Sequence, residues 1–163
     1  MRLRWAQPAV VVARVVVACL VVVAGAVGAA AAVAEPTTLP VAYSFLDGIR
    51  AELSNPGGSL PGTNDFSCAP TPKHPRPVVL LHGSGGGRQT NWATLAAVLK
   101  NDGYCVFAPT YGALSSVWPA SAVGGLGPKI DSAWDVKEFM DRVMAATQID
   151  QVDVVGHSLG TEI

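Results

Sequence analysis

Residues 152–160 read VDVVGHSLG, and this stretch decides how the rest of the sequence is interpreted. Its first half is a short apolar run rich in β-branched residues, which is typical of a buried strand. Its second half has the pattern G-x-S-x-G, in which a sharp turn from strand to helix lifts a serine hydroxyl above the carboxyl edge of a sheet. The pattern predicts Ser158 as a nucleophile; the alternative is an ordinary Gly-rich turn with an idle serine.

Two groups of glycines support the catalytic interpretation. Gly156 and Gly160 flank the serine and would let the strand and helix backbones pass closely. The backbone N–H of Leu159 lies at a helix start, where it is free to face an oxyanion. A second apolar run ends in His82-Gly83-Ser84-Gly85. In hydrolases with this elbow, the corresponding loop supplies the other oxyanion donor, which here is the backbone N–H of Ser84.

Two nucleotide-binding interpretations of the glycine-rich loop that begins at Gly83 are weaker. A dinucleotide-binding loop would need a third glycine where Arg88 stands. A P-loop would need Gly-Lys-Ser/Thr, and residues 88–90 read Arg-Gln-Thr. We interpret His82 as a residue that orients the loop, because the base follows the serine in hydrolases of this type.

Alternating strand and helix patterns predict an α/β fold. Short apolar runs predict three strands, at 77–81, 104–108 and 152–155. Apolar residues spaced by three and four predict helices between them, at 91–100 with Asn91 as N-cap and at 130–147 ahead of the last strand. This order implies a parallel sheet with right-handed crossover helices.

Two further segments are predicted outside this alternation. The spacing in 41–53 predicts a short amphipathic helix. The long loop 109–128 follows the end of a strand, where sheets of this kind bind ligands. Its large apolar residues either line an acyl pocket or simply pack: Leu114, Val117, Trp118 and Leu126.

Composition excludes several classes of protein. The 163 residues include 11 Lys+Arg and 12 Asp+Glu, for a net charge of -1, which disfavours a nucleic-acid binder held by phosphate contacts. An apolar fraction of 50% is too high for a disordered chain.

The amino terminus has the three parts of a secretory signal peptide, predicted to cover 1–34. Three arginines precede an uncharged apolar run from Val15 to Ala34, which ends in Ala32-Val33-Ala34. An uncleaved membrane anchor over 15–34 is the alternative, and a lipoprotein signal at Cys19 is a weaker one.

Two cysteines remain after removal of the leader, Cys68 and Cys105. An even count in an exported chain predicts one disulfide, with two separate buried thiols as the alternative. We divide the remainder into a spacer with a short helix, 35–60, and the hydrolase region, 61–163.

Five stretches together resemble the secreted actinobacterial lipases and esterases of the α/β-hydrolase superfamily, of the class 2 lipase type. The resemblance covers about residues 41–163 and is carried by 64–68, 74–83, 91–95, 103–107 and 152–158. It implies hydrolysis of carboxylic esters, of acylglycerols or other lipids, without a metal or organic cofactor. The implied partner is a lipid or ester substrate, with no nucleic acid, and with membrane contact only through the leader or a lipid interface.

The sequence departs from the family pattern at two positions and at its end. Leu159 replaces a common Gln, and Thr161 replaces a common Gly, which could crowd the helix entry. In this superfamily the acid and the histidine of the catalytic triad follow the serine. In this sequence Glu162 is the only acidic residue after Ser158, and no histidine follows it. We therefore expect an incomplete, N-terminal portion of the fold that is inactive alone; a catalytically inactive, membrane-tethered remnant is the alternative. The oligomeric state is not indicated.

Overall fold

The computed structural model describes residues 38–163, so the predicted leader lies outside the described residues. Helices and strands alternate along this region in the following order: α1 (Phe45–Ser54), β1 (Val78–Leu81), α2 (Ala93–Asn101), β2 (Val106–Phe107), a 3₁₀ helix (Ala120–Ala122), α3 (Lys129–Thr147), β3 (Asp153–Gly156) and a second 3₁₀ helix (Ser158–Thr161). Within 38–163, no helix has the length and apolar character needed to cross a membrane.

The three strands form one parallel sheet in the order β2-β1-β3, which confirms the predicted α/β fold. Val78 of β1 pairs with Val106 on one side and with Asp153 on the other. All four residues of β1 are buried because this strand has neighbours on both edges and helices on both faces.

Alternate side chains of β1 enter two separate cores. Val79 and Leu81 pack with residues of α3, whereas Val78 and Leu80 pack with residues of α2. The chain moves from β1 to β2 in one direction and then back across β1 to β3. Right-handed crossovers of opposite direction place their helices on opposite faces of the sheet, which is what is observed.

Strand β2 is shorter than the predicted 104–108 because it lies at the edge of the sheet. Asn64 takes over the pairing there: its backbone N–H donates to Val106 O at 2.9 Å. Its side-chain amide also donates to Ala108 O at 2.9 Å and accepts from Ala108 N at 2.8 Å. A side chain thus replaces a neighbouring strand at this edge.

Helix α1 begins at Phe45 rather than Val41 because Ser44 caps it. The Ser44 hydroxyl accepts from Leu46 N, and the Asp47 carboxylate accepts from Ser44 N, both at 3.3 Å. The apolar spacing correctly predicts a helix, but it does not identify the buried face. That face contains Gly48 and Glu52, whereas Phe45 is 73% exposed.

The predicted N-cap of α2 is wrong. This helix begins at Ala93 after Trp92, which makes no side-chain cap, and the Asn91 side chain bonds elsewhere, to His157. The helix ends at Asn101, one residue beyond the predicted 91–100, and Gly103 follows with a φ of +97° that suits glycine.

Cys68 and Cys105 form a disulfide, as predicted, with their Cα atoms 5.8 Å apart. The bridge ties the loop after α1 to the residue before β2, across a sequence separation of 37. On the chain-entropy account, closing a loop of this length stabilises the fold by about 3 to 4 kcal/mol.

Candidate active site

Ser158 lies at a sharp turn where β3 gives way to the 3₁₀ helix Ser158–Thr161. Its φ of 52° is in the left-handed region, which costs energy for a residue with a Cβ. Such backbone strain is concentrated at functional sites, where the surrounding structure enforces it. The serine side chain is exposed at the carboxyl edge of the sheet, as the elbow pattern predicts.

Two glycines make this turn possible. A Cβ on Gly156 would lie 2.4 Å from Gly160 O, and a Cβ on Gly160 would lie 2.2 Å from Leu81 O. Both distances are well below van der Waals contact with backbone atoms that have little room to move. The elbow therefore packs directly on its own strand and on the end of β1.

The loop after β1 contacts the elbow at Gly83. A Cβ at this position would lie 3.0 Å from Ser158 Cβ and 3.0 Å from His157 Nδ1. The two segments follow the neighbouring strands β1 and β3, and they leave the sheet toward opposite faces. The segment after β1 leads to α2 on one face, whereas Leu159, after β3, packs against the core on the α3 face. Ligands bind at such a switch point in α/β sheets.

The two predicted oxyanion donors have unbonded N–H groups. Within residues 38–163, the backbone N–H groups of Ser84 and Leu159 donate to no protein acceptor. Their neighbours do: Gly85 N donates to Gly124 O at 2.9 Å, and Gly160 N donates to His157 O at 3.0 Å. One donor on each loop is thus left available for a ligand.

The loop 109–128 contacts the site through two glycines, Gly124 and Gly125. Gly124 and Gly86 extend the pairing of the two loops, with Gly124 N donating to Gly86 O at 2.7 Å. A Cβ on Gly125 would lie 3.0 Å from both Ser84 Cα and Leu159 Cδ2. Sequence reasoning missed these glycines, although the adjacent pair in a long loop was a signal for close backbone approach.

His82 is fully buried and engaged in holding these loops together. Its Nδ1 bonds to Gly83 O at 2.9 Å, and its Nε2 accepts from Tyr111 N at 3.2 Å. The ring also stacks on Tyr111, with centroids 4.1 Å apart. Burial lowers the pKa of His82, which favours the neutral ring that this bonding requires. Burial also raises the pKa of Tyr111 to about 12.

The side chains of the other two histidines contact groups other than Ser158. His157 Nδ1 lies 2.9 Å from Asn91 Nδ2. His74 lies at the amino edge of the sheet, where its Nε2 is 3.1 Å from Asp102 Oδ2 and its ring stacks on Tyr104 at 3.6 Å. Within the described region, no histidine hydrogen-bonds to the Ser158 hydroxyl.

A separate cleft of about 450 Å³ lies between the β2 edge and α3. Polar and charged residues dominate its lining, including Arg88, Thr110 and Asp135, with Phe139 at its wall. Ser158 is not among the lining residues, so this cleft is distinct from the elbow.

Comparison with known proteins agrees with the geometry. Residues 75–163, from just before β1 through the elbow, match the lipase (class 2) family. The chain is also 34% identical over 89 residues to a protein of Xenorhabdus hominickii described as pyrrolizixenacetamide deacetylase. That match covers 53% of this chain but 29% of the relative, so the chain spans less than a third of the relative's length. With more than half of its residues matched, the chain belongs to the lipase (class 2) family.

Proposed function

We propose that this region is part of a serine hydrolase that cleaves carboxylic esters of lipids or acylglycerols through an acyl-enzyme. The observation that carries the proposal is the position of Ser158, exposed at a strained turn against the end of β1. Two unbonded N–H groups, of Ser84 and Leu159, lie on the two loops that meet there. Family membership supports an ester or lipid substrate.

The chemistry follows from this arrangement. The Ser158 oxygen attacks the carbonyl carbon of the ester and loses its proton to a general base. The carbonyl oxygen becomes an oxyanion that accepts hydrogen bonds from Ser84 N–H and Leu159 N–H. The alcohol then leaves with a proton, and water attacks the acyl-enzyme to release the acid and restore the serine. Each preorganised oxyanion donor accounts for roughly 10² to 10³ in rate.

We further propose that the base and its carboxylate partner come from outside residues 38–163. In hydrolases with this elbow, both residues follow the serine along the chain. The histidines described here contact other groups: His74 Nε2 lies 3.1 Å from Asp102 Oδ2, His82 bonds to Gly83 and Tyr111, and His157 bonds to Asn91. On this account, residues 35–163 alone produce no turnover that depends on Ser158.

A second candidate reaction is removal of an acetyl group from an amide. The Xenorhabdus hominickii relative favours it, since that protein is described as pyrrolizixenacetamide deacetylase. The same serine and the same oxyanion donors would serve, because both reactions pass through a tetrahedral oxyanion. The two candidates differ in the leaving group: the ester releases an alcohol, whereas the amide releases an amine, which is the poorer leaving group and depends more strongly on protonation by the general acid.

Paired substrates distinguish these candidates in the complete protein that contains this region. We expect p-nitrophenyl butyrate and emulsified tributyrin to be hydrolysed, with kcat/KM for the nitrophenyl ester at least about 100-fold above that for p-nitroacetanilide. Faster release of p-nitroaniline would instead support the deacetylase candidate. Absence of turnover with all three substrates would support the inactive remnant.

We also propose that the protein is exported, with cleavage between Ala34 and Glu35. The Cys68–Cys105 disulfide supports this, since disulfides persist in oxidising compartments. The signal-peptide pattern of residues 1–34 supports it independently. N-terminal sequencing of secreted material should begin Glu-Pro-Thr-Thr. Recovery of the protein from membranes with Met1 to Ala34 retained would favour the anchor.

A further inference from the structure

Helix α1 buries a carboxylate, Glu52, that is only 7% exposed. One carboxylate oxygen accepts from Gly57 N at 2.7 Å and from Trp118 Nε1 at 3.1 Å. The other accepts from Gln89 Nε2 at 2.6 Å. Within residues 38–163, this carboxylate has no basic partner, so neutral donors from three parts of the chain stabilise its charge.

Gln89 has a single allowed orientation in this network. The side chain is 1% exposed, and its amide nitrogen also donates to Asn55 O at 2.9 Å. Both N–H bonds of the amide are therefore used by the end of α1. Rotating the amide by 180° would place its oxygen against the Glu52 carboxylate and the Asn55 carbonyl, which are both acceptors.

Helix α1 also touches the same loop through its backbone. A Cβ on Gly48 would lie 2.5 Å from Thr90 O and 2.8 Å from Gln89 O. The helix thus lies directly against residues 89–90, and the Glu52–Gln89 bond holds the two together.

This contact lies on the loop that carries the oxyanion donor. Gln89 is five residues after Ser84, and Trp118 belongs to the loop that contains Gly124. Gly124 in turn pairs with Gly85 and Gly86 beside Ser84. Glu52 therefore contacts both of the loops that pair beside Ser84: it binds the loop after β1 through Gln89 and the loop 109–128 through Trp118.

We propose that Glu52 is a positioning residue, which fixes the Ser84 N–H for catalysis by holding Gln89 and Trp118. This inference rests on the proposed hydrolase function. Glu52 lies on a helix that the matched stretch 75–163 does not include, so this positioning element comes from outside the region that identifies the family.

The test is Glu52→Gln in the complete protein. The new amide places an N–H against a donor, and Gln89 cannot rotate to compensate. We expect kcat for p-nitrophenyl butyrate to fall about 10-fold, a fraction of what complete loss of an oxyanion donor costs, with KM changed less than about twofold. We also expect amide hydrogen exchange at Gly85 and Gly86 to accelerate about 10-fold.

Asp141→Asn is the matched control, because it makes the same carboxylate-to-amide change at an exposed residue of α3. It should leave both kcat and the exchange of Gly85 and Gly86 unchanged. Trp118→Phe removes one of the three donors and should give a smaller fall in kcat in the same direction.

Two results would overturn the proposal. One is unchanged exchange at Gly85 and Gly86 in Glu52→Gln, which can be measured whether or not the protein turns over substrate. The other is a lower melting temperature with kcat unchanged, which would assign Glu52 a structural role only. If hydrolysis survives Ser158→Ala, the proposed function fails instead, and the exchange measurement still reports on positioning.

Discussion

Replacing Ser158 with alanine should reduce ester hydrolysis by the complete protein about 10⁶-fold, the scale seen when the nucleophile of a serine hydrolase is removed. No other described group takes its place: the exposed hydroxyl at the elbow is the one positioned by the strained turn and by the close approach of Gly83. Remaining catalysis would come from the oxyanion donors and substrate binding, roughly 10³ to 10⁴-fold over water. Initial rates with p-nitrophenyl butyrate measure the effect.

The matched control is Ser54→Ala, the same change at an exposed serine at the end of α1. Its hydroxyl donates to Ala51 O within the helix end, so its removal should leave kcat/KM within about twofold of wild type. Loss of activity in both variants would point to general damage. A Ser158→Ala protein that retains a tenth or more of the wild-type rate would contradict the assignment of the nucleophile.

Replacing Gly83 with alanine should lower kcat about 100-fold, the second largest effect expected. The added methyl would lie 3.0 Å from both Ser158 Cβ and His157 Nδ1, so either the elbow or the Ser84 N–H must move. The backbone at Gly83 is not in the left-handed region, so alanine adopts it without torsional strain. We therefore expect the loss in kcat to exceed what the change in melting temperature alone explains.

Gly127→Ala provides the comparison for this variant. It also lies in a loop, it has no positive φ, and its added methyl would meet its nearest atom at an ordinary 3.5 Å. It should retain wild-type kcat. Equal losses in the two variants, or a Gly83→Ala enzyme with normal kcat, would show that the two loops are not held in contact as described.

Local patterns in the sequence were sufficient to predict the parallel α/β sheet and the turn that carries Ser158. The run at Val78–Leu81 is continuously apolar because its strand is central, and the β-α-β-α-β spacing leaves few alternatives to a parallel sheet. The elbow was predictable for the same reason, since the strand and the G-x-S-x-G pattern are adjacent in sequence. The disulfide followed from a cysteine count of two after the predicted leader.

Contacts between residues far apart in sequence were not predictable in this way. Asn91 looks like an N-cap in its local sequence, but its side chain bonds to His157, which is 66 residues away. Nothing near Glu52 indicates that its partner is Gln89, which is 37 residues away. The short β2 has the same origin, because the Asn64 side chain bonds to Ala108, directly after β2, from 44 residues upstream.

The buried face of α1 illustrates a related limit. Hydrophobic periodicity predicts that the most apolar face of a helix is the buried one. In α1 that face would include Phe45 and Leu53, but both side chains are exposed. Close approach of a backbone selected Gly48 instead, and the polar network selected Glu52. Packing distance and hydrogen bonding overrode periodicity here, at the helix that we propose positions the oxyanion loop.

Covalent labelling tests the central claim most directly. The complete protein would be treated with a fluorophosphonate, which reacts with activated serines, and the modified peptide would be sequenced by mass spectrometry. We predict a single adduct, at Ser158, that forms in step with the loss of ester hydrolysis and is absent from unfolded protein. An adduct at another residue, or complete inactivation with Ser158 unmodified, would contradict the account.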